Sequence, residues 1–385
     1  MKQLSKMMLA AVASVALAAP AFAWDFSASG SSSATFKQQT YAPAEGDATT
    51  TADFSSSAGG VTISSSNSDG ANSATFSYTA DYNSDGDALN FDEYVSVSGS
   101  KKVGNWTASS ATTQYMQKDS TAGTPMTSNG SAVITLTDGS ITYKLGNAAH
   151  LSTAEKTSDG PMDGTQDAEA SVDAFDGFSV GLGVGPGTLT VALEMGSTGS
   201  SKGAGDATYL GEGTGGGAAL TCGAQKTGFG LNFAGDVGAD LTFTYGSGSA
   251  AMGSGCTDNA SANAATYSVM GLGVAVPVGA MTIALDYGTN VALWTIDNAQ
   301  GGSANAGWEI SLVMPVGDAT AGVNRSSKAT ITTEDAVAVD ATVKGGTELW
   351  YTVPIGAVSL SAGYGSEAVD GATTTQIGAE MSMSF

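Results

Sequence analysis

Basic residues are scarce in this chain. It has 13 Lys and Arg against 36 Asp and Glu, and Arg325 is the one arginine. A formal charge of −23 makes nucleic acid an improbable partner and small cations the natural counter-ions. Histidine is reduced to His150, with no distinctive serine motif beside it, so a hydrolase reading finds no support and a solvated loop residue is expected. Cysteine is limited to Cys222 and Cys256, with no histidine nearby to complete a metal set. Proline is sparse, at 8 residues. Long hydrophobic runs are missing as well. After the first twenty residues no stretch approaches the ~18 uninterrupted apolar residues of a membrane helix. What remains is rich in Gly (53 residues), Ser, Thr and Ala. That composition alone reads as disorder, but period-2 strand patterns run through it.

The first 23 residues read as a secretory signal. Lys2 and Lys6 form a positive start, Met7 to Ala19 an apolar stretch, and Ala21-Phe22-Ala23 a cleavage site. Without those two lysines the net charge falls from −23 to −25. Residues 24–385 are then the exported protein. At the other end, Ile377, Ala379, Met381, Met383 and Phe385 share one face, and Gln376, Gly378, Glu380, Ser382 and Ser384 the other. This ending resembles the assembly signal of Gram-negative outer-membrane proteins, which typically finish in an aromatic residue.

The second half repeats one unit: an alternating strand, a very short turn, a second such strand and a long polar connection. The turns are Gly185-Pro186-Gly187, 235–238, Pro277-Val278-Gly279, Pro315-Val316-Gly317 and Pro354-Ile355-Gly356. Proline presets one turn dihedral and glycine accepts positive φ. The expected long loops are 197–226, 248–264, 289–304, 328–345 and 365–372. Short turns at one end and long loops at the other describe an up-and-down membrane barrel with periplasmic turns.

Parity places every carboxylate of these strands on the polar face. Glu194 opposes Leu189, Val191, Leu193 and Met195; Asp286 opposes Ile283, Leu285 and Tyr287. Glu309 opposes Trp308 and Ile310, and Glu348 opposes Leu349 and Tyr351. A charge turned toward lipid at the midplane would cost about 2–4 kcal/mol. Tyr245, Tyr287 and Tyr364 fall on the apolar face about nine residues beyond a short turn, where an aromatic girdle belongs. A two-sheet sandwich also alternates, so parity alone leaves that alternative open. The first half is more polar. Strands are expected near 25–36, 53–65, 72–81, 89–99, 103–116, 130–137 and 140–147. Eleven more follow from 177, giving 18 strands, or 16 if the weakest pair is loop. The fold class is all-β: a transmembrane antiparallel up-and-down barrel of 16 or 18 strands.

The segment Gly139-Ser-Ile-Thr-Tyr-Lys-Leu-Gly-Asn-Ala-Ala-His150 resembles the strand that leads into the constriction loop of Gram-negative general porins. The resemblance covers the signal, this segment and the last strand. It implies an outer-membrane channel for small hydrophilic solutes, assembled as a homotrimer in outer-membrane lipid, with no enzymatic activity and no required cofactor. It also implies that 148–176 folds inward and narrows the pore. Its acids are Glu155, Asp159, Asp163, Asp167, Glu169, Asp173 and Asp176, with Lys156 the one base. General porins usually oppose such a loop with an arginine cluster, which this chain lacks. Arg325 has apolar parity and is expected to snorkel at the outer interface. Lys144 is the best cationic wall residue, with Glu194, Asp286, Glu309 and Glu348 as acidic wall residues. A weakly opposed acidic constriction favours cations.

Two further patterns stand apart. Asp81, Asn83, Asp85, Asp87 and Asp92, with Gly86 at the sharp-turn position, match a calcium-loop spacing, so Ca²⁺ is a possible ligand. An acidic surface loop between strands is the alternative. Cys222 and Cys256 flank the hairpin 227–247 and should emerge at the outer ends of adjacent strands. A disulfide joining two outer loops is therefore expected. Two other functions stay open: an exported structural or adhesive β-protein of the cell surface, and a solute-specific channel.

Overall fold

The computed structural model describes residues 24–85, 88–117, 131–158, 160, 175–197, 224–252, 265–295, 298–327, 329–331, 341–369 and 372–385. Seven strands precede the acidic segment: β1 (Asp25–Ala42), β2 (Thr49–Ser68), β3 (Asn72–Asp85), β4 (Ala88–Val103), β5 (Trp106–Gln117), β6 (Ser131–Thr137) and β7 (Ile141–Ala148). After it come β8 (Phe175–Val184), β9 (Gly187–Ser197), β10 (Ala224–Asp236), β11 (Asp240–Met252), β12 (Ala265–Val278) and β13 (Met281–Thr295). The series ends with β14 (Asn298–Val316), β15 (Ala319–Ser326), β16 (Ala329–Ile331), β17 (Ala341–Ile355), β18 (Val358–Val369) and β19 (Ala372–Ser384). Each strand pairs with its sequence neighbours, and β1 also pairs with β19, so the ladder closes on itself. Both β15 and β16 lie between β14 and β17, as two parts of one strand. The fold is thus a closed antiparallel β-barrel of 18 strands. Of the two expected counts, the larger is correct.

Closure is visible atom by atom. Gly30 N donates to Phe385 O at 2.8 Å, and Phe385 N donates to Gly30 O at 3.0 Å. The Phe385 ring lies over Gly30 so closely that a Cβ there would sit 2.7 Å from its Cζ. An aromatic ring covering a cross-strand glycine shields backbone that has no side chain of its own. Five residues along the same register, Thr35 Oγ1 donates to Glu380 Oε2 at 3.1 Å.

Eight short connections join successive strands at one end of the ladder, and each carries one left-handed glycine: Gly70, Gly104, Gly139, Gly185, Gly238, Gly279, Gly317 and Gly356. Aspartates brace three of them. Asp69 Oδ1 accepts from Ala71 N and Asn72 N, Asp138 Oδ1 from Ser140 N and Ile141 N, and Asp236 Oδ1 from Gly238 N. The Asn72 side chain and these N–H groups hold the Asp69 carboxyl below the ordinary range, and the Ile141 and Ser140 N–H groups do the same for Asp138.

At the opposite end the strands run further than expected. The stretch 289–304, read as a loop, is mostly paired strand, since β13 and β14 continue to Thr295 and from Asn298. Most of 365–372 is strand as well, and 328–345 contains β16 and the start of β17. The ladder's hydrogen bonds persist where the apolar alternation stops. Backbone pairing needs no apolar side chain, so the period-2 signal fades before the strand does.

The chain divides into two compact units, 1–32 with 57–136 and 384–385, and 33–56 with 137–383. In the first unit, Phe76 and Val97 pair on one face, while the other carries directly opposed hydroxyls: Ser73–Ser100 at 2.7 Å and Ser96–Thr113 at 2.8 Å. The second unit has exposed Leu193, Phe229, Ile283, Leu285, Trp308, Ile310, Leu349, Tyr351, Leu360, Ile377 and Met381 on one face. The intervening residues are polar and largely buried, including Asn232, Thr242, Thr244, Ser311 and Asn324. Large apolar side chains are therefore outside and polar ones inside. Tyr245 and Tyr364 are exposed on the apolar face, and Tyr287 stands directly across from Trp308.

Replacing Phe385 with alanine should weaken closure by up to about 1 kcal/mol, the scale of an aromatic cross-strand pair. The expected result is a lower urea midpoint in detergent, with the strand content of the folded state unchanged.

Candidate functional site

The interior of the second unit is crossed by one segment, residues 151–160. Its burial repeats every three residues: Leu151, Ala154 and Thr157 are buried, while Ser152, Glu155 and Ser158 are exposed. A three-residue period in chain that is neither helix nor strand is that of an extended, polyproline-II-like conformation. The three buried residues face the wall and the exposed three face away from it.

The wall partners follow in strict order. Leu151 packs against Gly230 of β10. Ser152 O accepts from Asn232 Nδ2 of β10 at 3.3 Å and from Thr244 Oγ1 of β11 at 2.5 Å. Asp286 of β13 accepts from Lys156 N at 2.9 Å, Thr157 N at 2.8 Å and Thr157 Oγ1 at 2.6 Å. Thr157 Oγ1 also lies 3.3 Å from Glu309 Oε2 of β14. Ser158 N donates to Ser311 Oγ of β14, and Ser158 O accepts from Asn324 Nδ2 of β15 at 2.5 Å. Gly160 N donates to Glu348 Oε2 of β17 at 3.1 Å. The span from β10 to β17 involves roughly six inter-strand gaps of ~4.8 Å, or ~29 Å. Nine residue steps at ~3.1 Å give ~28 Å. The segment has just the length needed to cross at near-full extension.

Close approach requires small residues beneath the segment. At Gly273 of β12 a Cβ would fall 2.9 Å from Ala154 O, Asp286 Oδ1 and Lys156 Cγ alike. The segment begins on an apolar cluster of Leu151, Phe175, Ala192 and Val269. His150 packs against Phe175 with ring centroids 4.6 Å apart and the rings tilted by 37°. Its Nδ1 lies 2.9 Å from Ser179 Oγ, and its Nε2 2.9 Å from Gly146 O. The expected solvated loop histidine is instead buried, at 3 % exposure. Phe175 and the segment remove it from water.

The structure corrects the part assigned to the wall carboxylates. Glu194, Asp286, Glu309 and Glu348 are on the polar face, but at 3 %, 0 %, 1 % and 0 % exposure they are covered rather than open to passing ions. Asp286, Glu309 and Glu348 bind the crossing segment. Their removal from water is offset by N–H and O–H donors. Asp176 is also corrected. It belongs to β8, on the face of Phe178, Val180 and Leu182, where Asn147 Nδ2 bonds it at 3.1 Å. Asp176 is therefore part of a wall strand rather than of an inward loop. Lys144 shares the inward face with Thr142, and its Nζ lies 3.4 Å from Ala149 O. Lys156 turns to Asp240 of β11, with Nζ–Oδ2 at 2.8 Å. Arg325 Nη1 donates to Thr347 Oγ1 on the outer face.

Glu155 is exposed beside these contacts. Asp159, Asp163, Asp167, Glu169 and Asp173 lie outside the described residues, as do Cys222, Cys256 and Asp87. Asp81, Asn83, Asp85 and Asp92 belong to the extended β3–β4 hairpin, where Asp81 pairs with Asp92 and Asn83 with Asn90. Among the described residues no group of three or more His, Cys, Asp and Glu is arranged to hold a metal. Asn232, Asn324, Thr157 and Gly273 carry much of the site and were not singled out from sequence. The bonds that Asn232, Asn324 and Thr157 make between segment and wall join residues 80 to 166 apart, so no local pattern marks them.

No family model matches the chain, and no curated protein does. Two solved structures illustrate what it is similar to. A mutant of the Rhodopseudomonas blastica porin has 13 % identity and a TM-score of 0.43, over 94 % of this chain and 100 % of that one. The anion-selective porin from Comamonas acidovorans has 11 % identity and a TM-score of 0.49, with the same coverage.

Asp286→Ala leaves three donors of the segment without their acceptor. Local opening of 151–160 should become easier by about 2–4 kcal/mol, the range for hydrogen bonds to a buried charged group. Limited proteolysis of the folded barrel should then cut within 151–160 at least thirtyfold faster, with β-strand cleavage unchanged.

Proposed function

We propose that the chain is an outer-membrane channel through which small hydrophilic solutes and ions diffuse passively. The observation that carries this reading is the division of faces: a closed 18-strand ladder with large exposed apolar residues outside and polar residues with a chain segment inside. No helix among the described residues is long and apolar enough to cross a membrane, which says nothing against crossing by strands. An exposed apolar surface of this extent would be a liability in water, where contiguous patches rarely exceed a few hundred Å². In lipid it is the required exterior. A segment fixed across the inner wall narrows the passage.

Cation preference is the finer part of the proposal. It rests on the acid excess of the whole chain and on Glu155, which faces away from the wall. The buried wall carboxylates contribute less, because they are engaged by the segment. Lys156 adds little opposing charge, since Asp240 holds it. Carboxylates along a narrow passage raise the local cation concentration. A trimeric assembly belongs to the same proposal, and chemical cross-linking in lipid measures it.

Two measurements test this reading. In planar bilayers the purified protein should give stepwise conductance and a reversal potential of cation-selective sign in a KCl gradient. Lack of conductance would refute the channel, and an anion-selective sign would refute the preference alone. In lipid, Leu285→Arg on the outer face should lower the unfolding free energy by about 2–4 kcal/mol. Thr282→Arg, on the opposite face of the same strand, should cost much less. Equal costs would contradict a lipid-facing exterior.

A further inference from the structure

His150 stands where β7 ends and the crossing segment begins. Its surroundings make it more than a spacer. Gly146 O can only accept a hydrogen bond, so the Nε2 atom 2.9 Å away carries the ring proton. Nδ1 is then the acceptor for the Ser179 hydroxyl, also at 2.9 Å. The ring packs at a tilt against Phe175, and Phe175 belongs to the same apolar cluster as Leu151 of the segment. One neutral imidazole therefore ties the end of β7, the start of β8 and the head of the segment together.

We propose that His150 is a proton-operated latch, which docks the head of segment 151–160 on β8 when neutral and releases it when the ring gains a second proton. The second proton goes to Nδ1, the atom now accepting from Ser179. That hydroxyl must then turn to accept, and a cation is placed against the Phe175 ring. The nearby charges are Lys144, on the inward face of β7, which opposes the second proton, and Asp176, on the opposite face of β8 from Ser179, which favours it. Burial is the largest influence and holds the imidazole below its ordinary value. The Gly146 and Phe175 carbonyls, which can accept from a doubly protonated ring, act the other way, and Lys144 adds to the lowering.

The direction of the pH effect follows. A histidine depressed by docking gives a contribution fully present above the undocked value, near 6.5. That contribution is lost as pH falls through the docked value. The latch is closed at neutral pH and opens in acid. The carboxylates Asp286, Glu309 and Glu348 hold residues 156–160, so release begins at residues 151–155. Each unit by which docking lowers the histidine makes about tenfold less docked form in strong acid.

The test uses the full chain in detergent, read by amide hydrogen exchange corrected for the intrinsic effect of pH. Between pH 7.5 and pH 5, amides of 151–155 should lose protection relative to the strands. His150→Gln can keep one donor and one acceptor yet does not titrate, so its protection should stay level. Equal loss in both proteins would assign the acid response to the carboxylates and overturn the latch, as would no loss in the wild type. Nitrogen NMR of the sole histidine gives a second measure that needs no variant. The Nε2–H tautomer and a midpoint below 6.5 are expected; the Nδ1–H tautomer or a midpoint at or above 6.5 would overturn it. Neither measurement depends on conductance, so failure of the latch and failure of the channel reading are distinguishable.

Discussion

A stretch of bare backbone bonded to buried carboxylates is the constraint on which the interior depends. Asp286 alone receives two backbone N–H groups and a hydroxyl from Lys156 and Thr157. Glu348 receives Gly160 N, and Asn324 reaches Ser158 O. Carboxylates and extended backbone are each costly to take out of water alone. Together they satisfy one another, and the segment becomes part of the wall. The side chains that point inward from β10 to β17 are accordingly small or hydrogen-bonding, with Gly230 and Gly273 where the segment comes nearest.

The outer face obeys the opposite rule because its surroundings demand only apolarity. Leu, Ile, Val, Met and aromatic residues recur there without regard to detailed fit. This asymmetry links sequence to proposed function. One face is selected for solvent, the other for a particular chain segment, and the period of two keeps them apart on every strand. Closure between Gly30 and Phe385 removes the free edges that either face would otherwise leave.

Much of this was legible in the sequence. Alternation around Leu285 and Asp286 located faces, and glycines located the short turns. The pattern of seven strands before the acidic segment and eleven after it gives the observed 18. The strand ends were less legible, since Ser- and Gly-rich ladder such as 298–306 carries no period-2 signal. The carboxylates were visible on the correct face, but their engagement by residues 156–160 was not, because it joins positions 129 to 188 apart. Asp176 was counted with the acidic segment because nothing in 170–176 marks where β8 begins. His150 was passed over for a related reason. A lone histidine in a polar stretch looks solvated until Phe175 and Ser179 are brought against it.

The extended crossing is best tested by distance. With Cys222 and Cys256 replaced by serine, spin labels at Ser152→Cys and Ser158→Cys would occupy two exposed sites six residues apart. Pulsed electron resonance on the folded protein in lipid should give a narrow distribution corresponding to a Cα separation of about 19 Å, six steps of ~3.1 Å. A helical turn there would give ~9 Å. A short or broad distribution would contradict a segment strapped across the wall from β10 to β17.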